Sequence, residues 1–497
     1  MRRILIPAAA LLLLSCPMRR IPALPPGPDS PVANLALLDK FADRVQRDAL
    51  LASWTATTAP DTPAAGARIG VLPLLLLQDG EVDALRRRLA DPRDSRCLQA
   101  IHSFAVQLQA DADPFVADAM AAVAARRGRM PDLDSFFVEH DLSRRKDLWA
   151  SQAQTARELA PLLRRLIAAR RQWARRRSRS EYLDIMRAHR GYDPNVADRL
   201  ERQVREGLES APMRIRRPWE FELIDPPLAT RLAQRFDAKH CLEHASFVLE
   251  HLDLPSSAVR IDEVGPTSFS SFAFYPIDPP VDQRVVVRPG AGIVPYWSAF
   301  HELGHAAMSL MAAPASCRTL RRPVSDAVSE SCAKVGERLF YAEEWLRMQA
   351  VPPEDIDALR EWERESERMR MRGILADIEL ERIVYRSPNA DWMSAFVAIQ
   401  RRTAGVDAGR DFPAWALKRD LAFEPLGRVD YLLARCAQAA VYRRLRALPG
   451  GLLGESAREV LREDVFRGAS AMRYEEWFRR AAGTEPDCSA WLEDVAN

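Results

Sequence analysis

A chain of 497 residues that is 47% hydrophobic and 28% charged can bury a large core, which excludes an intrinsically disordered protein. Its 71 basic and 69 acidic side chains leave a net charge of +2, so nothing in the charge balance calls for nucleic acid as a partner. At this length two lobes with a cleft between them are expected rather than one compact core. Beyond Cys16 there are six cysteines, at 97, 241, 317, 332, 436 and 488; they allow about fifteen pairings, and sequence does not choose among them.

In chain order, Met1-Arg2-Arg3 is a basic start and Ile4 to Leu14 an apolar run too short to span a bilayer. Leu13-Leu14-Ser15-Cys16 resembles a bacterial lipobox. Residues 1–16 are therefore expected to be a lipoprotein-type signal peptide, with Cys16 as the lipid anchor of a periplasm-facing protein of the bacterial cell envelope. An ordinary secretory signal or a misplaced start codon are the competing readings. Residues 17–35, with prolines at 17, 22, 25, 26, 28 and 31, predict a stiff tether, and 36–497 the folded domain. Ala33 to Leu51 and Glu81 to Gly128 predict helices, with a break rich in Pro, Thr and Ala around Thr55 to Ala65. Phe136 to His189 is a long helical stretch. The arginine run from Arg164 to Arg179 carries Leu162, Leu163, Leu166, Ile167, Trp173 and Ala174 at helical spacing, which predicts a solvated helix face rather than a nucleic-acid arm. Pro218 to Pro227 is a loop, and the strands are expected between Phe269 and Arg288. Beyond Pro323 nearly everything is helical, with turns at Pro352-Pro353, Gly405 to Gly409 and Pro449-Gly450-Gly451.

His301-Glu302-Leu303-Gly304-His305 carries the chemistry. On a helix this spacing puts two imidazoles on one face with a carboxylate beside the first, the pattern of a zinc hydrolase. Gly292 and Pro295 precede it as breakers, and Tyr296, Trp297, Ala299, Phe300, Ala306, Ala307, Met308, Leu310 and Met311 make the helix apolar enough to be packed. A hydrolytic zinc site takes three protein ligands and keeps one position open. No histidine follows His305, so the third ligand is expected to be a carboxylate on a following helix: Asp326, Glu330, Glu337, Glu343 or Glu344. Glu330, 25 residues after His305, is preferred because Pro323 and Ser325 offer a helix start and Ala327, Val328 and Ala333 an apolar face around it. Glu337, Glu343 and Glu344 are expected to be solvated charges. Asp326, one turn before Glu330, is either an acceptor that orients His301 or His305, or a helix-start charge. His240-Cys241-Leu242-Glu243-His244 reads as the inverted zinc motif, but the segment from Cys317 to Pro323, where its distant acid should lie, contains none. Its histidines are expected on the polar face of an amphipathic helix.

With these motifs in place the chain resembles the gluzincin peptidases of the thimet oligopeptidase and oligoendopeptidase F family, and the related angiotensin-converting-enzyme-like peptidyl dipeptidases. The likeness covers about residues 140 to 497, with specific motifs between 265 and 440. It implies a mainly α, two-lobed helical zinc-peptidase fold with a deep central cleft and a small antiparallel β element beside the active site. Ser270-Ser271-Phe272-Ala273-Phe274-Tyr275 and Gln283 to Arg288 match that strand pair, one strand of which aligns the peptide substrate. Val429-Asp430-Tyr431-Leu432-Leu433 matches the helix whose tyrosine stabilises the transition state. Tyr431 is implied in that role.

The expectation is zinc-dependent hydrolysis of peptide bonds in oligopeptides. His301, His305 and Glu330 hold one Zn2+, Glu302 activates the zinc-bound water and Tyr431 stabilises the oxyanion. Two alternatives stand beside it. No histidine occurs near Tyr431, where the family usually has one or more; a lipid-anchored binding or scaffold protein with this fold but little turnover would fit that. A zinc hydrolase of non-peptide amides is the other.

Overall fold

The computed structural model describes residues 31–58, 74, 77, 79–127, 139–209, 213–264, 272–313 and 317–496. The expected signal peptide, most of the tether and residues 269–271 of the first expected strand lie outside the described residues. The molecule is mainly helical, with one small sheet. Seven helices matter for the site: α1 (Pro31–Thr58), α2 (Pro92–Ala112), α3 (Ala153–Arg177), α4 (Ile293–Leu310), α5 (Asp326–Phe340), α6 (Pro353–Arg386) and α7 (Gly427–Arg446). Among the described residues no helix is long and apolar enough to cross a membrane.

Proline and cap chemistry set several helix starts. Asp91 accepts a hydrogen bond from the Arg93 amide and Pro92 occupies the first helical position of α2, where its missing N–H costs nothing. Pro92 and Pro114 also cut the single helix expected over Glu81 to Gly128 into three, Asp79–Arg88, α2 and Pro114–Arg127. Pro353 opens the 34-residue α6 in the same way. In α3 the apolar stripe is buried as expected, through Leu159, Leu163, Leu166, Ile167, Trp173 and Ala174. One arginine departs from the solvated face: Arg170 is 1% exposed.

The sheet runs in the order β1 (Arg260–Glu263), β3 (Asp282–Val287), β2 (Phe272–Asp278). β2 and β3 form the expected antiparallel pair, with Phe274 opposite Val285. β1, too short and charged to stand out in the sequence, pairs parallel to β3 and makes the sheet mixed. Pro276 donates no ladder hydrogen bond, which suits the edge position of β2. Alternation splits the strand residues between two cores. Phe272, Phe274, Val285 and Val287 enter the main core, while Ala273, Tyr275, Ile277 and Val286 pack on the other face with Leu50 of α1. α1 therefore roofs the sheet, and α4 lies beneath it.

Four of the six cysteines pair. Cys97 of α2 bonds Cys317, ahead of α5, and Cys436 of α7 bonds Cys488 near the C-terminus, while Cys241 and Cys332 are buried thiols outside these two disulfides.

Candidate metal centre

The site is built on the crossing of α4 and α5. At the crossing Gly304 meets Gly336: a Cβ on Gly336 would lie 2.8 Å from the Gly304 Cα, and one on Gly304 would lie 2.8 Å from the Ala333 Cα. Two glycines thus let the backbones approach closer than any side chain allows, and that approach carries Glu330 to the two histidines. His301 Nε2 lies 3.4 Å from Glu330 Oε2 and His305 Nε2 lies 3.6 Å from Glu330 Oε1. One ligand atom from each of His301, His305 and Glu330 falls within 4.8 Å of the other two, and all three residues are buried.

The other ring nitrogen of each histidine is occupied. His301 Nδ1 donates to Glu337 Oε2 at 3.0 Å, and His305 Nδ1 is 3.1 Å from the Ser329 hydroxyl. These partners orient both rings with Nε2 towards Glu330, the arrangement in which outer residues fix the tautomer of metal-binding histidines. The ring of Phe274 on β2 stacks on His305 at 5.9 Å, and the two histidine rings meet edge to face at 4.9 Å.

Glu337 corrects an expectation. It is not a solvated charge but 5% exposed, because Lys334, one turn earlier, and His301 both satisfy its Oε2. Although burial alone would raise its pKa, the Lys334 ammonium and the hydrogen bond from His301 hold its carboxyl far below the usual range. Burial opposes the charged form of His301 too, yet its contacts with Glu330 and Glu337 leave its pKa raised. Lys334 is itself buried and its pKa lowered by that burial. The spacing of Glu330, Lys334 and Glu337 places all three on one face of α5, a signal available in the sequence. Of the other two acids, Glu344 is exposed and Glu343 pairs with Arg347 and Arg360. Of the two readings of Asp326, the helix-start charge is the one observed: it opens α5 and its carboxylate binds Arg190 at 2.5 Å, while Glu337 and Ser329 hold the histidines.

Glu302 is 2% exposed and sits next to His301 on α4. Tyr431, in the first turns of α7, is partly buried; burial and then the Glu330 and Glu424 carboxylates push its hydroxyl well above the usual phenol range. The phenol therefore lies within electrostatic reach of Glu330. His240 and His244 stand apart from this group. His240 Nδ1 is held by Asp237, 2.9 Å away, and neither histidine joins a metal-holding cluster among the described residues.

The donor set fits a divalent metal such as zinc: two neutral imidazole nitrogens and one carboxylate, converging in a buried place with their outer nitrogens already engaged. The fold is one already seen in peptidases. The chain is similar to the M32 carboxypeptidase from Deinococcus radiodurans R1 (18% identity, TM-score 0.62, covering 94% of this chain and 98% of that one). It is similar to a carboxypeptidase from Pyrococcus furiosus (15%, TM-score 0.63, 94% and 99%). An oligoendopeptidase F of Bacillus anthracis str. Ames also matches (13%, TM-score 0.63, 99% and 94%). No protein-family model and no curated protein sequence matches the chain. The likeness is one of fold, and it runs over nearly the whole length of each partner.

Proposed function

We propose that this protein is a zinc-dependent peptidase of the gluzincin type that hydrolyses peptide bonds in oligopeptides. The observation that carries the proposal is the convergence of His301, His305 and Glu330 with Glu302 adjoining on the same helix. The helical fold shared with carboxypeptidases and an oligoendopeptidase supports the peptide substrate class. His301 Nε2, His305 Nε2 and the Glu330 carboxylate are the proposed ligands. Bound there, zinc would supply Lewis acidity, polarising the substrate carbonyl and lowering the pKa of water to around 7.

Each remaining step belongs to a side chain of this protein. Glu302 takes the proton from the attacking water and returns it to the leaving amine nitrogen, so that no free hydroxide or amide anion is needed. Its burial excludes bulk water that would compete for the same proton. The Tyr431 hydroxyl donates a hydrogen bond to the carbonyl oxygen as that oxygen gains charge. β2, at the edge of the sheet among the described strands and next to His305 through Phe274, is the strand we set alongside an extended peptide substrate.

A lipid-anchored location in the cell envelope is proposed with it. The basic start, the short apolar run and the lipobox-like Leu13-Leu14-Ser15-Cys16 support it, and so do two disulfides, which persist in oxidising compartments. The test of function is mass-spectrometric mapping of products from a mixed peptide library, with and without a zinc chelator. Chelator-sensitive cleavage at peptide bonds is the expected result. An intact peptide library beside chelator-sensitive hydrolysis of non-peptide amides in a parallel assay would overturn the substrate class, and no turnover of either by metal-loaded protein would leave a scaffold.

A further inference from the structure

Arg190 lies on the turn after the short helix Tyr182–Ala188 and is 3% exposed. The next residue, Gly191, has φ of 72°, and a Cβ there would sit 2.4 Å from the Val324 carbonyl oxygen, so this turn presses directly on the start of α5. From that place the guanidinium forks. Its Nη1 donates to Asp326 Oδ2 at 2.5 Å and lies 3.0 Å from Asp430 Oδ2, while Nη2 donates to the Pro425 carbonyl. Asp326 is one turn before Glu330 on α5; Asp430 immediately precedes Tyr431 on α7. One rigid, permanently charged group therefore joins the first turns of the two helices that carry Glu330 and Tyr431.

The loop leading into α7 is held by two more buried side chains. Arg170 of α3 donates to the carbonyls of Leu421 (3.1 Å) and Ala422 (2.6 Å). The Glu381 carboxylate of α6 accepts the Leu426 amide at 3.1 Å on each oxygen. Leu426 has φ of 68°, a conformation a leucine keeps only where its surroundings impose it.

We propose that Arg190 is a positioning residue that sets the placement of Tyr431 relative to Glu330, and so aims the phenol at the reacting carbonyl oxygen. The inference rests on the role of Tyr431 proposed above. The experiment is a double-mutant cycle of Arg190→Lys and Tyr431→Phe, read as kcat and KM on a peptide cleaved in the library assay, with bound zinc measured on each variant. Lysine keeps the charge and loses the fork. Arg190→Lys alone should lower kcat by about 10²-fold, the scale of an ångström misplacement, with KM and bound zinc nearly unchanged. In the Tyr431→Phe background the same substitution should add little. Equal losses in both backgrounds, or loss of zinc in place of kcat, would overturn the positioning role while leaving that of Tyr431 intact. If Tyr431→Phe by itself has no effect, the oxyanion role falls and the inference with it. Should Arg190→Lys fail to fold, Asp326→Asn replaces it in the cycle with the same two outcomes; its side chain is 29% exposed and tolerates the change more readily.

Discussion

Glu337 shows how much a single buried carboxylate decides. Its Oε2 receives both His301 Nδ1 and Lys334 Nζ, so it orients a proposed metal ligand and neutralises the one buried lysine on that face. Glu337→Gln keeps the shape and removes the charge. Zinc affinity, measured by competition with a chelator, should fall by roughly 10- to 100-fold, the usual cost of losing a residue behind a metal-binding histidine. Glu344→Gln, at an exposed position four residues past α5, should leave zinc affinity unchanged. Glu302→Gln separates base from ligand: kcat should drop by about 10² to 10⁴-fold with zinc content intact. Full peptide cleavage by that variant would end the assignment of Glu302 as base.

At the scale of elements the crossing of α4 and α5 is the decisive contact. Gly304 lies inside the HExxH stretch and Gly336 one residue before Glu337, and each leaves less than van der Waals room for a methyl group. Gly336→Ala must push the helices apart or strain them, at about 1–3 kcal/mol by the usual cost of overpacking. Because Glu330 reaches the histidines only through that closeness, zinc affinity should fall together with the melting temperature. A variant that lost stability but bound zinc normally would show that Glu330 does not depend on the crossing. The sheet has a comparable economy. Its alternating residues seal two cores, and Phe274 brings β2 against His305 by stacking ring on ring.

For the molecule as a whole, two disulfides tie distant parts together. The Cys97–Cys317 bond spans 220 residues and fastens α2 to the segment that leads into α5, and Cys436–Cys488 ties α7 to the C-terminal helices. Alkylation of the unfolded, unreduced protein followed by peptide mapping should mark Cys241 and Cys332 and spare the other four. Removing the Cys97–Cys317 link, as Cys97→Ser with Cys317→Ser, should cost about 2–4 kcal/mol of stability. Its effect on zinc should be small, since both histidines and Glu330 are held by the α4 and α5 contact rather than by α2. Labelling of all six cysteines would remove the support these bonds give to an oxidising compartment.

Sequence by itself determined the helical class, the strand pair and the shortlist of chemical residues, because each is written in local spacing. HExxH places two imidazoles one helical turn apart whatever surrounds them, and the aromatic and β-branched runs Phe272-Ala273-Phe274-Tyr275 and Val285-Val286-Val287 suit a buried pleated surface. Tertiary structure decided which acids do what. Spacing and an apolar setting already singled out Glu330 along the chain, but only packing shows Glu337 behind His301 and Asp326 on Arg190. The same holds for Arg170, one arginine in a solvated run until helix packing turns it inward onto the loop before Tyr431. The physical reason is that a charge's role depends on its partners and its distance from water, and both come from residues dozens to hundreds of positions away.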